Sequence, residues 1–223
     1  MRAEGGISAA FSCPDPRRAT AMTGRYDHGH QSRDHQSRDH ISRDLAFASA
    51  RVVCRPIDAD DRALYRALYT APAVMDQIGP VRTLAEADAL LAHALAHTQD
   101  PAERARYWRI AEPSSELAVG IVALVRSDRT PEEGELGVML LPAAQGRGLG
   151  RSAVAGVIDG VAAGRWRRPF EALVYRHARA NDAAGRIPAA LGFACADDSA
   201  SALVSWRLSR SDWTQQRRRW PTI

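Results

Sequence analysis

The 223-residue chain contains no lysine: all 30 of its basic side chains are arginine, set against 26 carboxylates for a net charge of +4. A Walker-type nucleotide loop needs a Gly-Lys-Ser/Thr step, so that class is excluded. The arginine accompanies abundant alanine and reads as a compositional bias rather than a nucleic-acid surface, so no nucleic-acid partner is expected. Cysteine is also scarce. Cys13, Cys54 and Cys195 are odd in number, far apart and form no CxxC pair, which fits inert thiols in a reduced, cytoplasmic compartment. No apolar run approaches the roughly 20 residues of a membrane span, and the N-terminus lacks the continuous apolar stretch of a secretory signal. What the chain does have is a 45% apolar fraction, enough for one sizeable core with sequence to spare.

The spare sequence lies at the ends. Ser32-Arg-Asp-His35-Gln, Ser37-Arg-Asp-His40-Ile and Ser42-Arg-Asp44 form a five-residue repeat of alternating charge with no apolar face. Burial in such a tract cannot offset the entropy of ordering it. The expected division is a disordered low-complexity tail over 1–47, one folded domain over 48–213 and a basic, frayed tail over 214–223. Met22 is a candidate downstream start. His28, His30, His35 and His40 have no fixed ligand geometry, and His93 with His97 lacks a third ligand, so no metal site is expected. Arg217-Arg218-Arg219 beside Trp220 reads as a solvated tail.

Within the domain, Ala50 to Arg55 reads as a strand closed by Pro56. Asp58 offers a helix cap ahead of the stripe Leu64, Tyr65, Leu68 and Tyr69, and Pro72 stops that helix. Thr83-x-x-Glu86 is a capping box for a second helix through Leu90, Leu91, Ala94 and Leu95. Ala105–Ala111 and Leu117–Val125 read as antiparallel strands. A third strand from Glu133 alternates, with Leu136, Val138 and Leu140 on one face and Glu133, Glu135, Gly137 and Met139 on the other. Pro142 ends its ladder. Gln145-Gly146-Arg147-Gly148-Leu149-Gly150 then opens a helix over Ser152–Ala163. Phe170–Arg176 is a strand that must run parallel to the one from Glu133, through a right-handed crossover. Asn181 reads as a cap, Gly192-Phe193 leads into a last strand pair, and Ser201–Leu208 is the final strand.

Three glycines at a helix start, with Arg147 and Arg151 beside them, describe an anion site suited to a pyrophosphate. The dinucleotide fingerprint would need glycine where Arg151 stands. A Gly-rich turn with no ligand is the plain alternative.

The string Gln145-x-x-Gly148-x-Gly150 matches the Q/R-x-x-G-x-G/A signature of the GNAT acetyltransferases, and the element order resembles that family over roughly Arg51 to Trp213. Asn181-x10-Gly192-Phe193 is similar to the element that follows the family's fifth strand. Glu135-Leu-Gly137 and Trp206-x-Leu208-x-Arg210-x-Asp212-Trp213 resemble the branch of ribosomal-protein alanine N-acetyltransferases. The resemblance implies an α+β fold: a mixed, mostly antiparallel sheet with one parallel pair at the cofactor site, flanked by helices. It implies acetyl-coenzyme A as cosubstrate, with Met139, Leu140 and Leu141 pairing with pantetheine. Gln145, Gly146, Arg147, Gly148, Leu149, Gly150 and Arg151 would hold the pyrophosphate. Asn181 would touch the pantetheine arm, cap a helix, or do both.

The implied activity is acetyl transfer to a primary amine, either a protein N-terminus or a small amine, by a monomer or homodimer. Glu135 is the candidate base with Glu133 in reserve; the alternative for each is an exposed strand carboxylate. Relatives place a serine or a tyrosine as acid where this chain has Ala184 and Pro188. Pro188 predicts a short helix beginning there, with Asn181–Ile187 as loop. The missing acid keeps a second class open, a catalytically impaired module that binds acetyl-coenzyme A as sensor or scaffold.

Overall fold

The computed structural model describes residues 45–98, 100, 102–115, 117–196 and 200–216. The Ser32–Asp44 repeat, the four tail histidines, Cys13, Met22 and the Arg217–Trp220 stretch lie outside the described residues. The first described residues already pack against the domain. Leu45 is buried, and Phe47, placed at the end of the tail by composition, sits edge-on to Trp108.

Eight strands form one sheet: β1 (Phe47–Ala48), β2 (Val53–Pro56), β3 (Ala105–Ala111), β4 (Ala118–Arg126), β5 (Glu133–Leu140), β6 (Ala172–Ala178), β7 (Ala194–Cys195) and β8 (Leu203–Ser209). Their spatial order is β1-β2-β3-β4-β5-β6-β8-β7. Every neighbouring pair is antiparallel except β5 and β6. The mixed, mostly antiparallel sheet with one parallel pair is therefore as expected.

Helices cover both faces. On one lie α1 (Arg62–Tyr69), α2 (Pro72–Met75) and α3 (Leu84–Thr98), whose apolar residues join Tyr107, Ile121, Ala123 and Met139 in one core. The other core holds α4 (Leu149–Ala162) against Val122, Leu124, Leu136, Leu173 and Leu208. The alternation along β5 is thus partitioned as the pattern predicts, Leu136 facing α4 and Met139 facing α1–α3.

Caps set the helix starts. The carboxylates of Asp58 and Asp61 form a reciprocal capping box ahead of α1. Thr83 and Glu86 form another before α3, with Thr83 N 2.7 Å from Glu86 Oε2 and Glu86 N 3.2 Å from Thr83 Oγ1. Pro72 ends the α1 register and starts α2, where its missing N–H costs nothing.

Two expectations are corrected. Asn181–Ile187 is not loop: α5 spans Asp182–Ala190 with Pro188 inside it. Strong ends outweigh the proline. Asn181 Oδ1 accepts from Ala184 N at 3.0 Å at the start. At the finish Gly192 is left-handed (φ 76), with Phe193 N bonded to Pro188 O and Gly192 N to Ala189 O, a Schellman closure. The second correction is at the C-terminus, where Arg210–Gln216 forms α6 and carries helix past 213, where a frayed tail was expected to begin. Ser209 Oγ accepts from Asp212 N at its start, and Trp213 is buried in the α4 core.

The sheet end away from Pro142 is bolted by buried arginines. Arg126 donates to the carbonyls of Pro131 (2.5 Å) and Arg168 (2.7 Å) and lies 3.9 Å over the Phe170 ring. Arg106 pairs with Glu103 and lies 4.5 Å over Trp166. Phe170 is thus core rather than strand, and β6 begins two residues later than its apolar pattern predicts.

Candidate functional site

The parallel pairing of β5 with β6 runs only from Glu133↔Ala172 to Leu136↔Tyr175. Beyond it β5 continues to Leu140 and β6 to Ala178, each held by its outer neighbour, β4 or β8. The two strands therefore part, and the β6-facing edge of β5 after Leu136 carries no strand. Its free main-chain groups can take up an extended ligand as a strand is added.

At the end of that edge, Pro142–Ala144 makes one 3-10 turn and the glycine loop follows. Gly146 and Gly148 have φ of +71° and +79°, with open space where a Cβ would stand. Residues other than glycine adopt this conformation at a cost. The amides of Gly146, Arg147 and Gly148 have no protein acceptor among the described residues, and those of Leu149, Gly150 and Arg151 lie in the first turn of α4, where no intrahelical partner exists. Six N–H groups at a positive helix end suit the diphosphate of coenzyme A.

Of the loop side chains, Gln145 turns back, its Nε2 donating to Leu140 O at 3.1 Å. Arg147 is taken by Glu112, with Nη1 2.9 Å from Oε1. Arg151 is exposed. Gly150 serves packing: a Cβ there would lie 3.3 Å from Ile187 Cδ1 and 3.4 Å from Leu140 Cδ1.

The gap between the strands is a cleft lined by Gln77, Ile78, Gly137, Arg176, His177 and Asn181, with Tyr175 and Ala184 among its walls. Ile78 belongs to the α1–α3 core and Ala184 to the α4 core, so the cleft reaches both faces of the sheet. Glu135 is not an exposed strand carboxylate. It is 4% exposed and held by Arg176, whose Nη1 donates to Oε2 at 2.5 Å. Glu133 lies on the same face, bound by Arg207 Nε at 3.1 Å. His177 donates from Nδ1 to Ala178 O (2.9 Å) and accepts at Nε2 from Trp206 Nε1 (3.0 Å), which fits a neutral ring protonated on Nδ1. Burial pushes the Tyr175 hydroxyl well above its ordinary pKa, so it stays protonated. Asn181 caps α5 and also lines the cleft.

Arg176, His177, Tyr175 and Gln77 were not visible as site residues in the sequence. A signal existed for Arg176: it lies two places past Val174, the register partner of Glu135, and so on the face of Glu135. Reading it needs the register, which the sequence does not carry.

His93 and His97 meet edge-on with ring centroids 4.3 Å apart. Among the described residues no group of three or more His, Cys, Asp or Glu could hold a metal, and no helix is long and apolar enough to cross a membrane.

No curated protein sequence matches the chain. Many solved structures share its fold. A GNAT-family acetyltransferase from Bacillus anthracis is 12% identical over 75% of this chain and 99% of its own, with TM-score 0.61. Spermidine N-acetyltransferase from Vibrio cholerae, in complex with CoA and spermine, is 14% identical over 74% and 98%, TM-score 0.60. The ribosomal L7/L12 alpha-N-protein acetyltransferase RimL, in complex with coenzyme A, is 13% identical over 72% and 95%, TM-score 0.60. Residues 51–194 match the family model of the acetyltransferase (GNAT) domain, and the chain belongs to that family of acetyltransferases.

Proposed function

We propose that the protein transfers acetyl from acetyl-coenzyme A to a primary amine by direct attack. The observation that carries this is the pairing of an open loop of unsatisfied amides with a cleft that begins at the same strand. Gly146 to Arg151 bind the diphosphate with main-chain N–H groups, and the free edge of β5 around Met139 to Leu141 pairs with pantetheine. Asn181 borders the arm.

The acceptor approaches from the α1–α3 face. Glu135, oriented by Arg176, receives a proton from the attacking amine, directly or through water. The new N–C bond forms as the C–S bond breaks. Ala184 and Pro188 supply no proton, so the departing thiolate takes one from solvent; a thiol with pKa near 8.5 is a fair leaving group unaided. A positioned acid is typically worth roughly 10²–10⁴ in rate, which makes its absence a handicap to turnover. With limited proton machinery the site favours an amine that is partly neutral at pH 7: an α-amine with pKa about 8 rather than a lysine-type amine near 10.4. The RimL likeness is in keeping with an α-amine and the spermidine enzyme with a small amine.

Release of free thiol from acetyl-coenzyme A, measured against a panel of amines, tests the proposal. Turnover on α-amines supports it. Calorimetric binding of coenzyme A without turnover on any amine assigns the protein instead to an idle, sensor-like role, the reading favoured by Ala184 and Pro188. Absence of coenzyme A binding refutes both.

A further inference from the structure

We infer that Arg176 recognises the acceptor, and that the acceptor is a small molecule bearing a carboxylate beside its amine. This rests on the transferase reading above and narrows its substrate.

Arg176 is the one formally charged side chain lining the cleft among the described residues. Its guanidinium has two edges. Nη1 is spent on Glu135, itself 5% exposed at the side chain and fixed in the sheet. Nε and Nη2 have no acceptor among the described residues, and 38% of the side chain remains exposed. A planar fork held at one corner, with its other edge open, is preorganised for bidentate binding of a carboxylate. The buried partner gives the arrangement its precision, because Glu135 stops the long side chain from sampling other rotamers.

The charge inventory also excludes alternatives. A polyamine carries several cations and needs carboxylates along its path, and among the described residues none lines this cleft. A protein N-terminus presents a neutral peptide group where a free amino acid presents its carboxylate, and so would leave the open edge of Arg176 without a charged partner. With a carboxylate on Arg176, the α-amine of the acceptor stands one carbon from that anchor, inside the cleft that Gly137 and Val138 of β5 also line.

The test uses the purified protein with acetyl-coenzyme A and reads thiol release on L-amino acids, each beside its own carboxamide, with spermidine and an alanine-initiated peptide as further acceptors. Amidation makes the amine less basic, so both chemical reactivity and the preference for a partly neutral amine argued above favour the amide, and only recognition of the carboxylate by Arg176 opposes them. The expected result is the reverse: at least one amino acid exceeds its amide in kcat/KM by about 10- to 100-fold, the scale of charge-assisted hydrogen bonds. Arg176→Gln reduces the acid to the level of its amide, chiefly through KM, while Arg176→Lys restores part of the preference. Should Arg176→Gln fail to fold, the acid-to-amide ratio of the unaltered protein decides alone. Equal rates on acid and amide, or spermidine or peptide outrunning every amino acid, overturn this inference and leave the transferase reading standing. Coenzyme A binding with no turnover on any amine overturns both.

Discussion

Replacing Gly148 by alanine separates backbone strain from steric filling at the loop. Gly148 is the N-cap of α4 with φ 79° and ψ 1°. Nothing lies within 4 Å of a Cβ placed there, so the substitution clashes with no protein atom. What remains is the left-handed conformation, costing an L-residue about 1–2 kcal/mol. For a domain of this size that lowers Tm by about 2–8 °C. Relief of that strain shifts the loop amides proposed to hold a diphosphate, so coenzyme A binding should weaken by about tenfold or more, one charge-assisted hydrogen bond's worth. Gly150→Ala is the contrast. Its backbone is helical, alanine is the better helix former by about 1 kcal/mol, and the new methyl presses only on the flexible ends of Ile187 and Leu140. Its Tm should stay within about 2 °C of the parent. Thermal unfolding and calorimetric titration with coenzyme A read both variants. An unchanged Tm and unchanged affinity for Gly148→Ala would refute the assignment of this loop.

Further outcomes follow from other parts of the molecule. Asn181→Ala removes a helix cap and should cost about 1 kcal/mol, whereas Asn181→Ser keeps the cap; a rise in KM for acetyl-coenzyme A in both, with stability lost only in the first, separates the two roles. Arg126→Met should destabilise by about 1–3 kcal/mol in urea unfolding, since it removes two part-buried hydrogen bonds from the guanidinium to the carbonyls of Pro131 and Arg168; a midpoint unchanged from the parent contradicts the bolt. Burial first, and the neighbouring His97 second, hold His93 below its ordinary pKa. The folded state then resists protonation, so its contribution is complete above about pH 6.5 and is lost as the pH falls below that value. Tm should decline from pH 7.5 to 5.5 less steeply in His93→Gln than in the parent.

The fold was legible where periodicity and punctuation coincide. Leu136, Val138 and Leu140 alternate against Glu135 and Met139, and Pro142 with three glycines marks the strand-to-helix turn, so β5, the loop and α4 follow from local chemistry. The cap at Asp58 and the capping box at Thr83 did the same for α1 and α3. The misread segment was Asn181–Ile187. Pro188 argues locally against a helix, and what overrides it is cooperative: a cap at one end, a left-handed Gly192 at the other, and burial of the proline itself. The candidate site was legible by its loop and by Glu135, and illegible by Arg176. Which residue of β6 meets Glu135 depends on where the parallel register starts, and that is decided by Phe170 turning into the core under Arg126 rather than extending the strand.

The early parting of β5 from β6 makes the sheet two panels sharing a short seam. One panel, β1 to β5, carries the glycine loop at its rim; the other, β6 to β8, carries Arg176 and His177. A lineage can therefore remodel what enters from the second panel, by editing β8 or the turn before it, while the glycine loop stays untouched on the first.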